Sequence, residues 1–190
     1  VPHPFDARPV IVAIAGPNGA GKSTFFEVFV KPGGLRFINA DEIAKETGIG
    51  AYEAASVAER VREELVEQGE SFAFETVFSD PVGAKVAFLR DAIERGYTVV
   101  LCFIGLDSAS TSDDRVAMRV LQGGHDVPAD KVRARFPRSL ENLRRAMQVL
   151  PFVWIYDNSD LMHPLRKVAE VEHGAVVRSW PPWPAWLDKP

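Results

Sequence analysis

Residues 10–30 read VIVAIAGPNGAGKSTFFEVFV, and this stretch decides the fold. Val10 to Ala15 is an unbroken apolar run of β-forming type. Gly16 to Ser23 then matches G-x-x-x-x-G-K-[ST] at every fixed position, and Ser23 to Val30 has helical character. A strand that enters a glycine-rich turn and leaves as a helix makes a polyphosphate cradle. The glycines let backbone N–H groups turn inward, and the helix adds the positive end of its dipole. Gly16, Pro17, Asn18, Gly19, Ala20, Gly21, Lys22, Ser23 and Thr24 are therefore expected to hold a nucleoside triphosphate, with ATP the expected cofactor. Lys22 should reach the β- and γ-phosphates, and the Ser23 hydroxyl should ligate Mg²⁺.

Outward from this loop, four more short runs rich in Val, Ile and Phe follow: Arg36 to Asn39, Phe72 to Glu75, Tyr97 to Ile104 and Phe152 to Tyr156. Runs that are nearly continuous rather than alternating suit strands covered on both faces. Helical segments separate them. Val57, Val61 and Leu65 recur every four residues in Ser56 to Gln68, and Asp80-Pro81 should cap a helix running towards Arg95-Gly96. Strands alternating with helices imply an α/β fold. The expected form is a five-stranded parallel sheet flanked by helices, of the small-kinase P-loop NTPase type. No guanine-reading N-K-x-D is present, and ring and transport ATPases normally need a larger domain.

The alternation fails from Ser110 to Leu150, between the fourth and fifth strands. Two helical segments stand there, the first ended by Gly123-Gly124, the second started by Pro128 and kinked or broken by Pro137. This insertion, about 110–150, is a candidate lid. The Trp/Pro-rich tail, about 179–190, should be extended. It reads either as a strap packing Trp180, Trp183 and Trp186 on the domain or as a partner-binding tail.

The chain has 190 residues, 46% of them hydrophobic and 25% charged, which suits one globular domain spanning 1–190. A net charge of −4 argues against a whole surface made to coat nucleic acid or anionic lipid. No apolar run approaches the roughly 20 residues of a membrane span. Val1-Pro2-His3-Pro4 does not read as a secretory signal, and with no initiator Met the true start is expected upstream. The single cysteine, Cys102, cannot form an internal disulfide, so a cytoplasmic location is expected.

Two carboxylates fall where ligands sit in such a sheet, beyond the carboxyl ends of strands. Asp41, just past the second strand, could accept a hydroxyl proton while that oxygen attacks the γ-phosphate, or could simply cap a helix. Glu75 ends a strongly apolar third strand, where a charge is costly unless it meets solvent, metal or ligand. It could bind an acceptor hydroxyl or order Mg²⁺, or be a solvated strand end. From Arg115 to Arg145, eight Lys/Arg stand against three carboxylates, a local excess of five positive charges in an acidic chain. Guanidinium groups on a closing lid would neutralise a transferring phosphoryl group. Otherwise the segment is a solvated basic face. His125 reads as a local hydrogen-bonding residue, and no Cys/His cluster has metal-ligand spacing.

GPNGAGKST (16–24), INADEIA (38–44), FAFETVFS (72–79) and RVAMRVLQGGHDVPADKVRARFPRSLENL (115–143) together resemble the zeta-toxin family of small P-loop kinases, over roughly residues 8–160. More closely they look like its short chromosomal members. The resemblance implies ATP-dependent phosphorylation of a small-molecule hydroxyl, in the best-known case the sugar 3′-hydroxyl of UDP-N-acetylglucosamine. It implies Lys22 and Ser23 on phosphate and Mg²⁺, Asp41 as base and Glu75 as the sugar-contacting acid. Arg119 and Arg135 look like the phosphate contacts, with Thr76 and Arg115 beside the acceptor. It also implies an antitoxin-like small protein partner. Family toxins carry a hydroxyl residue shortly after the third-strand acid. Here Thr76 and Ser79 flank Val77 and Phe78, so that contact is displaced or absent. Two other readings stay open: a kinase for another acceptor, a nucleic-acid 5′-hydroxyl included, or a nucleotide-dependent regulatory module without transfer.

Overall fold

A computed structural model of the chain describes residues 4–121 and 126–188. Among them the element order is β1 (Val10–Ala15), α1 (Lys22–Phe25), a π-helical segment (Phe26–Val30), β2 (Arg36–Ile38), α2 (Ala40–Thr47), α3 (Ala51–Glu67) and β3 (Phe72–Thr76). There follow α4 (Ala84–Glu94), β4 (Thr98–Gly105), α5 (Ala109–Leu121), α6 (Ala129–Val149), β5 (Phe152–Asp157), β6 (Arg166–Glu172) and β7 (Ala175–Ser179).

The strands form one sheet in the order β2-β3-β1-β4-β5-β6-β7. The first five are parallel, as expected, but the sheet has seven strands rather than five. β6 runs antiparallel to β5, and β7 antiparallel to β6. This hairpin escaped the sequence reading because Arg166, Lys167, Glu170, Glu172 and Arg178 interrupt its apolar positions. Its turn was marked all the same. His173 and Gly174 have φ of 49° and 84°, and a two-residue hairpin turn of this kind needs both angles positive.

β1 lies at the centre of the five parallel strands, fully buried on both faces. Ile11, Ala13 and Ala15 belong to one core cluster, and Val10, Val12 and Ile14 to the other. That two-sided burial explains the unbroken apolar run. The chain leaves β1 towards the β2 edge, whereas from β3 it crosses to β4 on the far side of β1. The carboxyl ends of β1 and β3 therefore face a crevice between diverging connections.

α3 is longer than expected, and its inner stripe is offset by one position. Ala54, Ala58, Arg62 and Leu65 are buried, while Val57 and Val61 lie at the margin. α4 starts at Ala84 rather than beside Pro81, with the Asp80 carboxylate accepting from the Ala84 and Lys85 N–H groups. Pro137 does not break α6, which runs through it. Buried residues on either side, Val132 and Phe136 before it and Ser139, Asn142, Leu143 and Ala146 after it, hold the helix in place. Gly123-Gly124 and His125 lie outside the described residues. In the tail, Trp186 and Leu187 are buried and Trp183 packs against the same cluster, while Trp180 is 38% exposed. Trp186 Nε1 donates to Asp157 Oδ1 at 3.1 Å, so the strap is fastened to the end of β5. No described helix is long and apolar enough to cross a membrane.

Candidate active site

The loop after β1 is braced from two sides by groups distant in sequence. The Ser112 hydroxyl, on α5, donates to the Asn18 carbonyl at 2.6 Å and is fully buried. α5 lies so close that a Cβ on Gly19 would come within 2.9 Å of the Arg115 Cβ, and φ there is +71°. Only glycine fits both the space and the angle. On the other side Asn158, one residue past β5, donates from Nδ2 to the Ala20 carbonyl at 2.9 Å. Its Oδ1 accepts from Leu165 N at 3.0 Å. Two loop carbonyls, those of Asn18 and Ala20, are thereby held by side chains of α5 and of the segment after β5.

Lys22 opens α1 and is 6% exposed. Its Nζ donates to the Pro17 carbonyl at 2.9 Å and lies 3.8 Å from Glu75 Oε1. Burial pulls the amine below the ordinary lysine range. The charges of Glu75 and Asp41 oppose that shift, and Arg119 adds to it. Ser23 Oγ donates to Glu75 Oε2 at 2.8 Å, and Thr24 is exposed beside it.

Glu75 sits in the last turn of pleat of β3, paired in register with Ile14, which brings its carboxylate to the mouth of the loop. Besides Ser23, it accepts from Asn39 Nδ2 at 3.2 Å. Asn39 has a second role: its Oδ1 accepts from Asp41 N at 2.9 Å and so caps α2. The helix cap considered for Asp41 thus belongs to Asn39. Asp41 stands exposed in the first turn of α2, facing the same cleft.

The cleft has a volume of about 570 Å³. Asn18, Gly19, Lys22, Asp41, Glu75, Thr76, Arg119 and Arg135 all line it. Arg115 does not. Its Nη2 donates to the Ser159 carbonyl at 3.3 Å, behind the phosphate loop. Thr76 Oγ1 accepts from Phe78 N at 3.1 Å, closing a tight turn. α6 is tied to this turn, since Ser139 Oγ donates to Val77 O at 2.6 Å and Asn142 Nδ2 to Phe78 O at 2.9 Å. Across the mouth, Lys131 of α6 donates to the Tyr52 hydroxyl of α3 at 3.0 Å. Cys102 is buried within β4 with its thiol pushed up to about 12, so it is no nucleophile.

Sequence reasoning missed Asn39, Ser112, Asn158 and Arg62. For Asn39 the signal existed: an asparagine with a glutamate three residues on, directly after a strand, is a helix-start signature. Asn158 sits at the carboxyl end of a strand, where side chains facing the ligand crevice are expected. Ser112 and Arg62 carry no such mark, because only their packing partners give them a role.

Residues 40–166 match the family model described as Zeta toxin. The chain belongs to the zeta toxin family. Two structures of the AvrRxo1-ORF1:AvrRxo1-ORF2 complex, one with sulphate ions and one with ATP, each match this zeta toxin family chain at TM-score 0.68 and 18% identity. Each match covers 90% of this chain and 60% of that one, so the chain spans less than two thirds of its relative's length. The PezAT chromosomal toxin–antitoxin system of Streptococcus pneumoniae matches at TM-score 0.60 and 19% identity, over 86% of this chain and 72% of that one. At these identities the likeness is one of fold, of the P-loop kinase type. No curated protein matches the chain.

Proposed function

We propose that the protein is an ATP-dependent phosphotransferase acting on a hydroxyl of a small molecule, with a nucleotide sugar such as UDP-N-acetylglucosamine as the leading acceptor. The observation that carries this reading is the convergence of Lys22, Asp41, Glu75, Arg119 and Arg135 on one cleft at the mouth of the phosphate loop. Asp41 takes the acceptor hydroxyl proton as that oxygen bonds to the γ-phosphorus and the bond to ADP breaks. Lys22, Arg119 and Arg135 hold the phosphate oxygens, and Glu75 with Thr76 orients the acceptor.

The donor set suits Mg²⁺ bound together with phosphates. Ser23 Oγ and the Glu75 carboxylate supply hard oxygens 2.8 Å apart, and no cluster of three or more His, Cys, Asp or Glu that could cage a metal exists among the described residues. When bound, Mg²⁺ neutralises charge on the phosphates. A small protein partner of antitoxin type, a cytoplasmic location, a single domain and a closing segment within 110–150 belong to the same proposal. Likeness to the PezAT toxin–antitoxin system and to the two-protein AvrRxo1-ORF1:AvrRxo1-ORF2 complex supports the first of these.

The test is incubation of the chain with ATP·Mg²⁺ and a panel of nucleotide sugars, simple sugars and 5′-hydroxyl oligonucleotides, read by mass. A gain of one phosphoryl group on a sugar or nucleotide sugar is expected. Gain only on oligonucleotides would make the chain a nucleic-acid kinase. Slow ATPase indifferent to every acceptor would make it a regulatory module.

A further inference from the structure

The inner stripe of α3 contains one residue that packing does not explain. Ala54, Ala58 and Leu65 meet the core, and Arg62 occupies the position between them at 5% exposure. Its Nε is buried without a hydrogen-bond partner among the described residues, and although the charges of Glu59 and Glu63 on the same helix act on its guanidinium, it is in none of the described ion pairs. Glu59, one turn earlier on the helix, is engaged with Lys85 at 2.6 Å. The Arg62 guanidinium carbon lies 4.9 Å from the Phe74 ring centre and 5.9 Å from that of Phe88. Those rings attract the cation but give its N–H groups no acceptor. A methionine or leucine would fill this stripe without burying a charge. Arg62 also lines the functional cleft, beside the small side chains of Ala55 and Ala58.

We propose that Arg62 is the anion receptor in the acceptor half of the cleft, so that the compound phosphorylated carries its own carboxylate or phosphate group. This rests on the phosphotransferase reading. A guanidinium held by aromatic rings keeps a fixed fork of donors, which pairs with two oxygens of either anion. The bound anion satisfies the buried donors, and its attachment to Arg62 sets how the acceptor hydroxyl is presented to Asp41. A neutral polyol leaves Arg62 unpaired and binds poorly.

Two measurements on the full chain test this. With the phosphate loop saturated by a non-hydrolysable ATP analogue and Mg²⁺, inorganic phosphate and malonate are titrated calorimetrically into wild type and Arg62→Met. At least one anion should bind wild type, and Arg62→Met should bind it about tenfold to hundredfold more weakly. Its Tm should be equal or higher. In transfer assays, glycerol 3-phosphate and glycerate should each be compared with glycerol, which separates phosphate from carboxylate recognition. KM for the preferred anionic acceptor should rise in Arg62→Met with kcat nearly unchanged, and Arg62→Lys should fall between. Equal anion affinity in both proteins, no anion binding to wild type, or glycerol used as well as its anionic relatives would overturn the inference. So would a lower Tm in Arg62→Met with unaltered affinity. Anion binding that depends on Arg62 without transfer to any acceptor would defeat the phosphotransferase reading and leave the receptor standing.

Discussion

Asn158 offers the sharpest test of how the phosphate loop is held. Its side chain is 8% exposed and joins two backbone groups, the Ala20 carbonyl at 2.9 Å and the Leu165 N–H at 3.0 Å. Asn158→Ala strands both. An orphaned buried polar group costs about 1–3 kcal/mol. Ala20 is fully buried and Leu165 only partly, so the upper end applies to the first and the lower end to the second. The sum is about 4 kcal/mol, which for a domain of this size lowers Tm by roughly 8–16 °C. Because the bond to Ala20 holds a carbonyl of the phosphate loop in place, about 1–2 kcal/mol of that loss should also appear in ATP affinity, a weakening of about 5- to 30-fold. Thermal melts and calorimetric titration with ATP·Mg²⁺ read the two effects separately. Asn158→Asp keeps the acceptor for Leu165 but loses the donor and places a carboxylate near the triphosphate. It should therefore bind ATP more weakly still. A lowered Tm with wild-type ATP affinity would show that Asn158 supports the sheet end and not the loop, and unchanged values for both would refute the reasoning altogether.

Three other outcomes are expected. Lys22→Met should fold and lose ATP binding. Because burial depresses the Lys22 pKa, the native state releases its proton before the unfolded chain does, so wild type gains stability relative to the variant as pH climbs towards 10.5. Urea melts of both proteins at stepped alkaline pH check that convergence, and a constant difference would contradict it. Asp41→Asn should cut turnover by about 10²–10⁴ while sparing ATP affinity. Its Tm should hold because Asn39 is the helix cap, and a drop in Tm with normal turnover would reverse the assignment. Arg119→Ala and Arg135→Ala should each reduce acceptor phosphorylation while ATP still binds, and Arg119→Lys should already show part of the loss. Full activity in all three would mark a solvated basic face.

Four of the parallel strands, β1, β3, β4 and β5, were legible because their interiors are buried, which forces apolar runs such as Val10 to Ala15, whereas β2 at the edge shows only a short run ending at the buried Ile38. The hairpin β6–β7 was not legible, because on β6 only Val168, Ala169 and Val171 are buried among the half-buried Arg166, Lys167, Glu170 and Glu172, and β7 at the sheet edge is mostly exposed. In the site, residues with a local signature could be found: the loop by its glycines, Asp41 and Glu75 by their place at strand ends. Asn158 shares that place at a strand end, but its role and that of Ser112 could not be read, since their partners, Ala20 and Asn18, lie 138 and 94 positions away. The α3 stripe shows a different failure. Val57, Val61 and Leu65 keep helical spacing, yet the inner face is set one residue along, where alanines make room for the cleft and Arg62 takes an apolar place.

The contacts also narrow which part of 110–150 can close. α5 is fixed to the phosphate loop by the buried Ser112 bond, and Arg115 ties it to Ser159 beyond β5. The second half of α6 is fixed too, through Ser139 and Asn142 to the turn after β3 and through Leu143 and Ala146 to the core. The first half of α6 is held by the buried Val132 and Phe136 but has lighter polar fastenings. Its described polar links are the Arg133–Asp113 pair at 2.6 Å, with Arg133 largely exposed, and the Lys131–Tyr52 bond at 3.0 Å, both in contact with solvent and worth little each. A closing movement would therefore swing residues from Ala129 towards Pro137 against α3, carrying Lys131 and Arg135 over the cleft. Pro137 suits that division, since its missing N–H leaves the Arg133 carbonyl without a helical bond at the boundary between the two halves. Slowed hydrogen exchange on binding an ATP analogue and acceptor should accordingly be confined to the first half of α6 and its approach. Uniform slowing across both helices would instead require α5 and the phosphate loop to move as one body.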